Sequence, residues 1–301
     1  MKLSVVILNY NTKDYTLQCL QSISESSLSP KTQEIEVLLA DNGSTDGSVE
    51  VIKLQYPWVK IIENRRNIGF SAGNNRALKQ AKGKIILLLN SDTKVFPDTF
   101  KEMLEFFATH KQAGAATARL MLPDGALDLA CHRGFPTPVN ALAYFLKLEQ
   151  LFPEFMPVAG YHQTWKNFNT IHEVDVISGA CFFIRKQVLD QVGLLDERYF
   201  MYAEDIDWCM RIKKSGWKIY YNPNSKIVHF KKRSGRSKSE GLPLSDRTRK
   251  LRAQTIIYFY DTMRIFYDQY YREKYGRLVR AVVLLGIYLF TKVKLLRNRL
   301  V

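Results

Sequence analysis

Short apolar runs recur along the first third of the chain, and each ends in a group of polar residues. The strands that this pattern predicts lie at residues 3–8, 35–40, 59–63 and 85–89. The helices predicted between and after them lie at residues 15–26, 71–81 and 97–109. Continuous aliphatic runs are typical of strands that are buried on both faces of a sheet. Their alternation with helices predicts an α/β fold with a doubly wound, mostly parallel sheet.

Three of the predicted strands are followed directly by polar clusters, at residues 9–11, 41–46 and 90–92. In open α/β sheets, ligands bind beyond the carboxyl ends of the strands. The three clusters therefore predict one shared ligand site at that edge of the sheet.

The middle of the chain mixes proline, glycine and aromatic residues and has no clear period. Strands are predicted only near residues 115–122 and 174–177. A turn of small residues at 178–180 then leads into an apolar strand. A further helix is predicted to open near residue 200 and to end at Gly216.

Two acidic positions follow strands directly. Asp92 either caps a turn or, through a hard divalent cation, bridges to a diphosphate. Asp41 and Asp46 lie in the segment DNGSTDG, which favours a tight turn and is equally placed to face a ligand. From the residues alone, both interpretations stay open at each position.

A third acidic cluster, Glu204, Asp205 and Asp207, lies near the start of the helix that ends at Gly216. Acidic side chains are favoured at the positive end of the helix dipole, so capping is one interpretation. Carboxylates grouped in a cleft are also how a general base is positioned. His229 ends a short predicted strand and is either structural or a metal ligand.

The net charge of +15 is concentrated in the C-terminal quarter of the chain. Residues 226–301 carry 19 of the 44 Lys and Arg residues but 5 of the 29 Asp and Glu residues. Such a concentrated field predicts an anionic partner for the tail, either lipid headgroups or nucleic acid. The neutral body and an apolar run within the tail favour lipid.

Two stretches of the tail are the basis for expecting lipid as its partner. One helix face gathers Ile256, Tyr260, Met263, Tyr267 and Tyr270. That face either packs on the rest of the protein or contacts lipid. Residues 281–290 are uninterrupted apolar or aromatic residues flanked by Lys and Arg, but a membrane span needs about 20 apolar residues. This run therefore predicts an interfacial helix with its cations among the headgroups.

The expected location is the cytoplasm, with peripheral attachment to the inner face of the cell membrane. The four cysteines are scattered without a CxxC pair, which favours a reducing compartment. No apolar leader segment precedes the first polar cluster.

Six segments carry a family resemblance when they are taken in order. They are VVILNYN at 5–11, LLADNGSTDG at 38–47, NIGFSAGNN at 67–75, LLNSDT at 88–93, SGA at 178–180 and EDID at 204–207. In this order they resemble glycosyltransferase family two, the inverting enzymes of the Rossmann-like GT-A fold, and most closely its rhamnosyltransferase-like branch. The resemblance implies a GT-A domain over residues 1–235, followed by a helical, membrane-associating extension over 236–301.

The resemblance also implies residue roles. The nucleotide and donor-sugar residues would be Asn9, Tyr10, Asn11, Asp41, Asn42, Gly69, Asn74, Asn90, Ser91, Gly179 and Ala180. Among these, Asp41 would contact the nucleoside base. Asp92, the second acidic residue of the family's DxD motif, and His229 would bind a divalent cation, magnesium or manganese. Asn90 stands where the family has the first Asp, so the site has one carboxylate fewer.

In the reaction that the resemblance implies, Asp205 is the catalytic base, with Glu204 beside it. One displacement would invert the anomeric carbon of a nucleoside-diphosphate sugar, with dTDP-rhamnose as a candidate. The acceptor would be a lipid-linked glycan in cell-surface polysaccharide synthesis. The QxxRW motif of processive synthases is absent from the sequence, which favours a single sugar addition.

Three other interpretations compete with this one. A nucleotidyltransferase is disfavoured because no glycine-rich basic loop follows the first strand. A nucleic-acid-binding protein that uses the basic tail stays open as an alternative. So does a non-catalytic, degenerate transferase, because Asn90 replaces a carboxylate.

Overall fold

The computed structural model describes residues 1–231 and 246–300 as a mixed α/β protein. Its strands are β1 (Leu3–Asn9), β2 (Ile35–Asp41), β3 (Val59–Glu63), β4 (Ile85–Asn90), β5 (Thr93–Val95), β6 (Ala113–Met121), β7 (His172–Glu173), β8 (Cys181–Arg185) and β9 (Lys218–His229). Its helices are α1 (Lys13–Ser24), α2 (Ser48–Gln55), α3 (Phe70–Leu78), α4 (Thr99–Thr109), α5 (Pro138–Phe145), α6 (Leu148–Leu151), α7 (Lys186–Val192), α8 (Glu204–Lys214), α9 (Asp246–Tyr270) and α10 (Gly276–Leu300). The strands and helices predicted for the first third are confirmed, with small shifts at their ends.

The strands form one sheet in the order β3-β2-β1-β4-β8-β6-β9-β5, with β7 paired to β9. β1 is parallel to both β2 and β4, so Asn9 lies opposite Asp41 and Leu8 lies opposite Asn90. The predicted α/β fold with a mostly parallel sheet is confirmed. β8 runs antiparallel to its neighbours β4 and β6, and β5 runs antiparallel to β9. The parallel register brings the polar ends of β1, β2 and β4 to one edge.

The predicted strand at residues 174–177 is wrong. The chain pairs briefly as β7, and Val176 then makes only an isolated bridge to Arg133. Val174 and Val176 are buried, but their N–H groups donate to the carbonyls of Ile219 and Arg133, outside any regular ladder. Apolar burial alone gave these residues a strand-like pattern. Their hydrogen bonds instead fix the loop that carries Arg133.

The aromatic face of α9 packs on the body of the protein. Of the two interpretations, packing and lipid contact, the structure therefore favours packing. Phe266, Tyr267 and Tyr271 are buried in the core. The Tyr270 hydroxyl donates to Oδ1 of Asp207 in α8, with an O–O distance of 2.6 Å. The first turn of α8 therefore anchors α9 directly.

The last helix, α10, packs on α9 and α5. Arg280 in α10 pairs with Asp268 in α9 at 3.0 Å, and the Phe290 ring stacks on Phe145 with centroids 5.0 Å apart. Within residues 1–231 and 246–300, no helix combines the length and the apolar character that crossing a membrane requires. The boundary predicted between residues 235 and 236 lies outside the described residues.

Candidate active site

A cleft of about 530 Å³ lies beyond the carboxyl ends of β1 and β4. One side, which we call the strand wall, consists of Tyr10, Asn90, Ser91, Asp92, Gly179 and Ala180. Another side, the helix wall, consists of Tyr144, Phe145, Met263, Phe266, Val283 and Ile287 from α5, α9 and α10. Glu204, Asp205 and Arg133 also line the cleft. A polar surface and an apolar surface thus bound one space.

Asn9 and Asp41 lie just behind the strand wall in a buried hydrogen-bond network. The Asn9 amide donates to Oδ1 of Asp41 at 2.8 Å and to the Ser48 hydroxyl at 2.8 Å. The other carboxylate oxygen of Asp41 accepts the N–H groups of Gly43 and Ser44. Asp41 therefore builds the turn after β2, as its sequence context favours. This network fixes the backbone of the nearby polar loop.

Asn11 and Asn42 brace the neighbouring loops. Asn11 adopts a positive φ of 52°, and its side chain accepts the backbone N–H of Thr45 at 2.8 Å. The buried Asn42 amide donates to the carbonyl of Gly69 at 3.0 Å and, in turn, accepts the Asn64 amide at 2.8 Å. Both side chains therefore position loops rather than line the cleft.

Gly69 lies just before α3 and close to Phe200, and Asn74 lies in the second turn of that helix. Gly69 has a φ of +91°, and a Cβ there would come within 2.7 Å of the Phe200 carbonyl oxygen, so only glycine fits. Asn74 is buried, and its amide donates to the Phe70 carbonyl. Its side-chain oxygen has no partner among the described residues. The close approach at Gly69 holds the loop before α8 in place.

Asp92, His229 and Asp128 form a chain of polar contacts beside the cleft. His229 Nε2 lies 3.4 Å from Oδ1 of Asp92, and its Nδ1 lies 2.9 Å from Oδ2 of Asp128. Lys231 Nζ pairs with the other oxygen of Asp128 at 2.7 Å. Asp128 thus fixes the imidazole ring so that Nε2 faces Asp92.

The environment changes the pKa values of this chain of residues. Burial would raise the pKa of Asp128, but the hydrogen bonds from His229 and Lys231 outweigh it and lower the pKa to about 2. Burial would lower the pKa of His229, but its bonds to Asp128 and Asp92 raise it to about 9. Without a cation, the cluster is therefore held together by charge-assisted hydrogen bonds, and a cation would have to displace the proton from Nε2 of His229 in order to bind there.

These residues fit a divalent cation with few protein ligands. The Asp92 carboxylate and Nε2 of His229 converge, and Asp128 orients the ring from behind, as carboxylates commonly do for a ligating histidine. Over the described part of the chain, no group of three His, Cys, Asp or Glu side chains is arranged as a complete metal site. A cation here would need phosphate oxygens and water as its other ligands, which is usual for magnesium.

Three donors hold the Asp205 carboxylate in the cleft, and one of them is the backbone N–H of Ile206, which Oδ1 accepts at 2.8 Å. Its Oδ2 accepts from Nη2 of Arg133 at 2.6 Å and from the backbone N–H of Gly179 at 3.3 Å. Both charged side chains are nearly buried, with exposed fractions of 11% and 12%. The Asp205 charge outweighs burial and raises the pKa of Arg133 above its ordinary value. The carboxylate is therefore fixed in one orientation.

The three acidic residues of α8 have different surroundings. Glu204 is buried, and its Oε2 has no partner within the described residues. Burial, and then the neighbouring Asp205 charge, raises the pKa of Glu204 to about 8. Asp207 is fully buried and pairs with Arg211 and the Tyr270 hydroxyl. Asp205 thus faces the cleft, whereas Asp207 holds α9.

Sequence reasoning missed Asp128 and Arg133. Both lie in the irregular segment between β6 and β8, where no periodicity placed any side chain at the sheet edge. Asp128 caps a short 3₁₀ helix through the N–H of Ala130. Neither residue belongs to a segment with a motif, so their roles depend on contacts with residues far along the chain.

The fold resembles that of solved GT-A glycosyltransferases. A mannosyltransferase from Pyrobaculum calidifontis in complex with GDP-Man and Mn²⁺ superposes with a TM-score of 0.57 at 16% identity, over 99% of this chain and 73% of that one. S. aureus TarS 1-349 in complex with UDP-GlcNAc gives a TM-score of 0.55 at 20% identity, over 86% and 66%. The chain thus spans just under two thirds of that TarS fragment. At these identities the likeness shows the fold alone.

Sequence comparison identifies the family as well as the fold. The N-acetylglucosaminyl-diphospho-decaprenol L-rhamnosyltransferase of Mycobacterium tuberculosis is 29% identical over 244 residues, 77% of each chain. The O-antigen biosynthesis protein RfbC of Myxococcus xanthus is 25% identical over 252 residues, which are 81% of this chain and 18% of that protein. The model of glycosyl transferase family 2 matches residues 4–193, more than half of the chain. The predicted family is thereby confirmed: the chain belongs to glycosyl transferase family 2.

Proposed function

We propose that this protein transfers one sugar, with inversion at the anomeric carbon, from a nucleoside-diphosphate sugar to a hydroxyl of a lipid-linked glycan. Asp205 is the observation that carries the proposal. Its carboxylate lines a cleft bounded by both a polar strand wall and an apolar helix wall. A base in this position can reach an acceptor hydroxyl while the donor lies along the strand wall.

The strand wall would hold the donor. Tyr10 is 45% exposed and lies beside the polar loop after β1, where a nucleotide ring could pack on it. Gly179 and Ala180 offer little side-chain bulk, which leaves room for the donor sugar. Asp41 remains our candidate contact for the nucleoside base. Its carboxylate accepts three hydrogen bonds, one from Asn9 and two from the turn. A carboxylate has about four lone-pair sites, so about one site is left for the base.

We assign cation binding to Asp92 and His229, with Asp128 as the residue that orients the imidazole. When bound, a divalent cation would neutralise the donor diphosphate and the charge that develops on the leaving group. Asn90 lines the same wall with an uncharged amide. The residues present therefore offer one carboxylate and one imidazole toward the diphosphate.

We assign the proton transfer to Asp205. Its carboxylate accepts the proton of the acceptor hydroxyl while the hydroxyl oxygen forms a bond to the anomeric carbon. The bond from that carbon to the diphosphate oxygen breaks on the opposite face, and its electron pair leaves with the nucleoside diphosphate. Burial, and then the neighbouring Asp205 charge, raises the pKa of Glu204, and a protonated carboxyl cannot take up the acceptor proton, which favours Asp205 over Glu204 as the base.

Rhamnose and a lipid-linked acceptor are the finer parts of this proposal. They are supported by the similarity to the mycobacterial rhamnosyltransferase, whose name specifies a diphospho-decaprenol acceptor. The apolar helix wall within the same cleft supports an acceptor with a hydrocarbon part. A role in cell-surface polysaccharide synthesis is supported by the similarity to an O-antigen biosynthesis protein.

We further propose that α10 attaches the protein to the inner face of the cell membrane. Its exposed apolar side chains recur on one face, namely Leu278, Val282, Leu285, Leu289, Val293 and Leu296. Arg and Lys residues flank this face and suit anionic headgroups. Flotation of the full chain with phosphatidylglycerol vesicles tests the idea, and binding that survives replacement of Leu285 and Leu289 by Glu would contradict it.

The proposed function is tested by measuring transfer and donor hydrolysis across a panel of nucleotide sugars, with magnesium, with manganese and with neither. We expect cation-dependent turnover of one donor, and its loss in Asp92→Ala. Asp190→Ala removes a carboxylate from α7 that pairs only with Lys186 among the described residues, so it is the matched control and should keep activity.

Other outcomes would favour the alternatives. Binding of a nucleoside diphosphate without any turnover would indicate a degenerate transferase. Absence of nucleotide binding, together with a salt-sensitive shift with DNA, would favour the nucleic-acid-binding interpretation.

A further inference from the structure

One side of the cleft is apolar, whereas a sugar and a diphosphate are recognised through polar groups. The helix wall is built from three separate helices, and it contains aromatic and aliphatic side chains almost throughout. Phe266 and Tyr271 line the cleft although they are nearly inaccessible to solvent. This part of the cleft thus runs between α5, α9 and α10, and we call it the channel.

Direct contacts fix the helix wall relative to the catalytic base. Asp205 pairs with Arg133, whose Nη1 lies 3.4 Å from the Tyr161 hydroxyl, and the Tyr161 ring packs on Tyr144 of α5 with centroids 5.0 Å apart. On the other side, α8 grips α9 through the bond between Asp207 and Tyr270, described above. Base and channel therefore belong to one connected structure.

The channel is bordered by apolar surface. Phe145 and Phe290 stack and join α5 to α10. On α5 and just after it, Val139, Leu142 and Leu146 are more than half exposed. On α10, Val283 and Ile287 line the channel while their neighbours Val282 and Leu285 are exposed. A hydrocarbon chain that leaves the channel would thus meet apolar side chains on both helices.

Basic residues beside this surface suit an anionic lipid. Arg277, Lys292 and Arg299 are exposed on α10, and the tail carries almost all of the net charge of the protein. An acceptor with a diphosphate between a sugar and a hydrocarbon chain has the matching arrangement: a polar head near Asp205 and an apolar chain along the helices.

We propose that the channel formed by α5, α9 and α10 binds the hydrocarbon chain of the acceptor lipid, and that this contact is what selects a lipid-linked acceptor. The inference rests on the proposed function for the identity of the acceptor. The chain lies against Met263, Phe266, Val283 and Ile287, with its diphosphate end toward Arg133. The site recognises a prenyl-type chain by apolar contact rather than by hydrogen bonds.

Acceptor chain length provides the kinetic test. Two N-acetylglucosamine diphosphate acceptors are compared, one carrying a single isoprene unit and one carrying three. For the wild type we expect at least about a tenfold lower KM with the longer chain, because more CH₂ groups are buried. Val283→Trp, which fills the channel, should raise the KM of the longer acceptor to that of the shorter one without changing the Kd of the donor. Leu54→Trp, at an 83% exposed apolar position of α2 that does not line the cleft, is the control and should behave as wild type.

Photolabelling tests the site without turnover and without a variant. The full-length wild type is irradiated with farnesyl diphosphate that carries a diazirine at the end of its chain. We expect labelled peptides from the inner sides of α5, α9 and α10, and protection by unlabelled farnesyl diphosphate. Labelling confined to the exposed face of α10, or equal protection by phosphatidylglycerol, would overturn the inference. So would transfer with the same KM for both acceptors.

The two proposals can fail separately. If neither acceptor is glycosylated, the proposed function falls, and the photolabelling result still decides whether the channel binds a prenyl chain. If both acceptors are glycosylated equally well and Val283→Trp has no effect, the function stands and the channel assignment is wrong. Thermal unfolding of both Trp variants shows whether Val283→Trp is folded, and the wild-type labelling result holds in either case.

Discussion

The strand wall and the helix wall of the cleft are stabilised in opposite ways. Behind the strand wall, buried polar groups are tied to one another, as in the network of Asn9, Asp41 and Ser48. The helix wall consists of side chains such as Phe266 and Val283, which pack by apolar contact and make few hydrogen bonds. The first arrangement fixes polar atoms in definite directions, whereas the second accepts any apolar group of suitable width.

Because of this difference, we expect the two walls to recognise different parts of the two substrates. A nucleotide sugar has many polar groups in fixed positions, and a rigid polar surface can recognise it before the acceptor arrives. A hydrocarbon chain is uniform and flexible, and apolar packing suits it. Two carboxylates on the first turn of α8 join the walls: Asp205 faces the cleft, while Asp207 holds α9.

The largest expected effect comes from removing the base while both walls stay intact. In Asp205→Asn the amide keeps the shape of the side chain but cannot take up the proton. We expect transfer to fall by about a thousandfold, in the range of general-base effects. The calorimetric Kd of the nucleoside diphosphate should stay within about twofold. A loss of donor binding as large as the loss of transfer would place Asp205 in the strand wall instead.

The next test weakens the strand wall from behind. Asp128→Asn leaves Asp92 and His229 in place but removes the charge that orients the imidazole. We expect manganese affinity, measured by calorimetry with the nucleoside diphosphate present, to fall by about 10- to 100-fold. The Kd of the prenyl photoprobe should not change.

Asp124→Asn provides the control for this change. Asp124 is an exposed turn residue four positions earlier, whose carboxylate accepts the Ala126 N–H. Equal losses in Asp124→Asn and Asp128→Asn would show that the effect comes from the loop and not from the histidine.

The strand wall could be anticipated from sequence far better than the helix wall, for a physical reason. Tyr10, Asn90 and Asp92 lie at or just after the ends of strands that the sequence shows as continuous apolar runs, and parallel pairing brings the ends of β1, β2 and β4 together. The sequence therefore predicts Asn90, Asp92 and Tyr10 at one edge of the sheet without any information on side-chain contacts. The family resemblance then supplied roles for them.

The helix wall depends on contacts between segments that are distant in sequence. Phe145 and Phe290 meet across α5 and α10, and no local pattern predicts such a pair. Arg133 reaches Asp205 from an irregular loop. The apolar face of α9 had two interpretations, packing or lipid contact, because burial against protein and burial against lipid select the same side chains. The position of Asp207 was visible in the sequence, but its partner Tyr270 was not.

A smaller effect is expected from weakening the contact between α8 and α9, which connects the two walls. Tyr270→Phe removes the hydroxyl that donates to Asp207 and leaves the ring in place. We expect the free energy of unfolding to fall by about 2 kcal/mol, because a hydrogen bond to a charged group is lost. The KM of the long acceptor should rise while the donor Kd stays constant.

Tyr258→Phe is the control for Tyr270→Phe. The Tyr258 hydroxyl, also on α9, accepts only an exposed bond from Gln254 among its described contacts. Its removal should change stability by less than about 0.5 kcal/mol. If the two variants lose equal stability, the bond to Asp207 does not hold α9.

The last prediction concerns the pH dependence of stability that Glu204 introduces. Its pKa is raised from 4.5 to about 8 in the folded protein, mainly by burial. Between these two values the unfolded chain loses the proton while the folded chain keeps it. The free energy of unfolding therefore falls as the pH rises through this window, by up to about 1.4 kcal/mol per pH unit, and levels off above pH 8.

Glu204→Gln tests this pH dependence because its side chain cannot ionise. Its denaturation midpoints from pH 4.5 to 8 should show a shallower slope than those of the wild type. Glu50→Gln changes an exposed side chain and should keep the wild-type slope. An unchanged slope in Glu204→Gln would mean that Glu204 is ionised in the fold, and would restore it as a rival to Asp205 for the role of base.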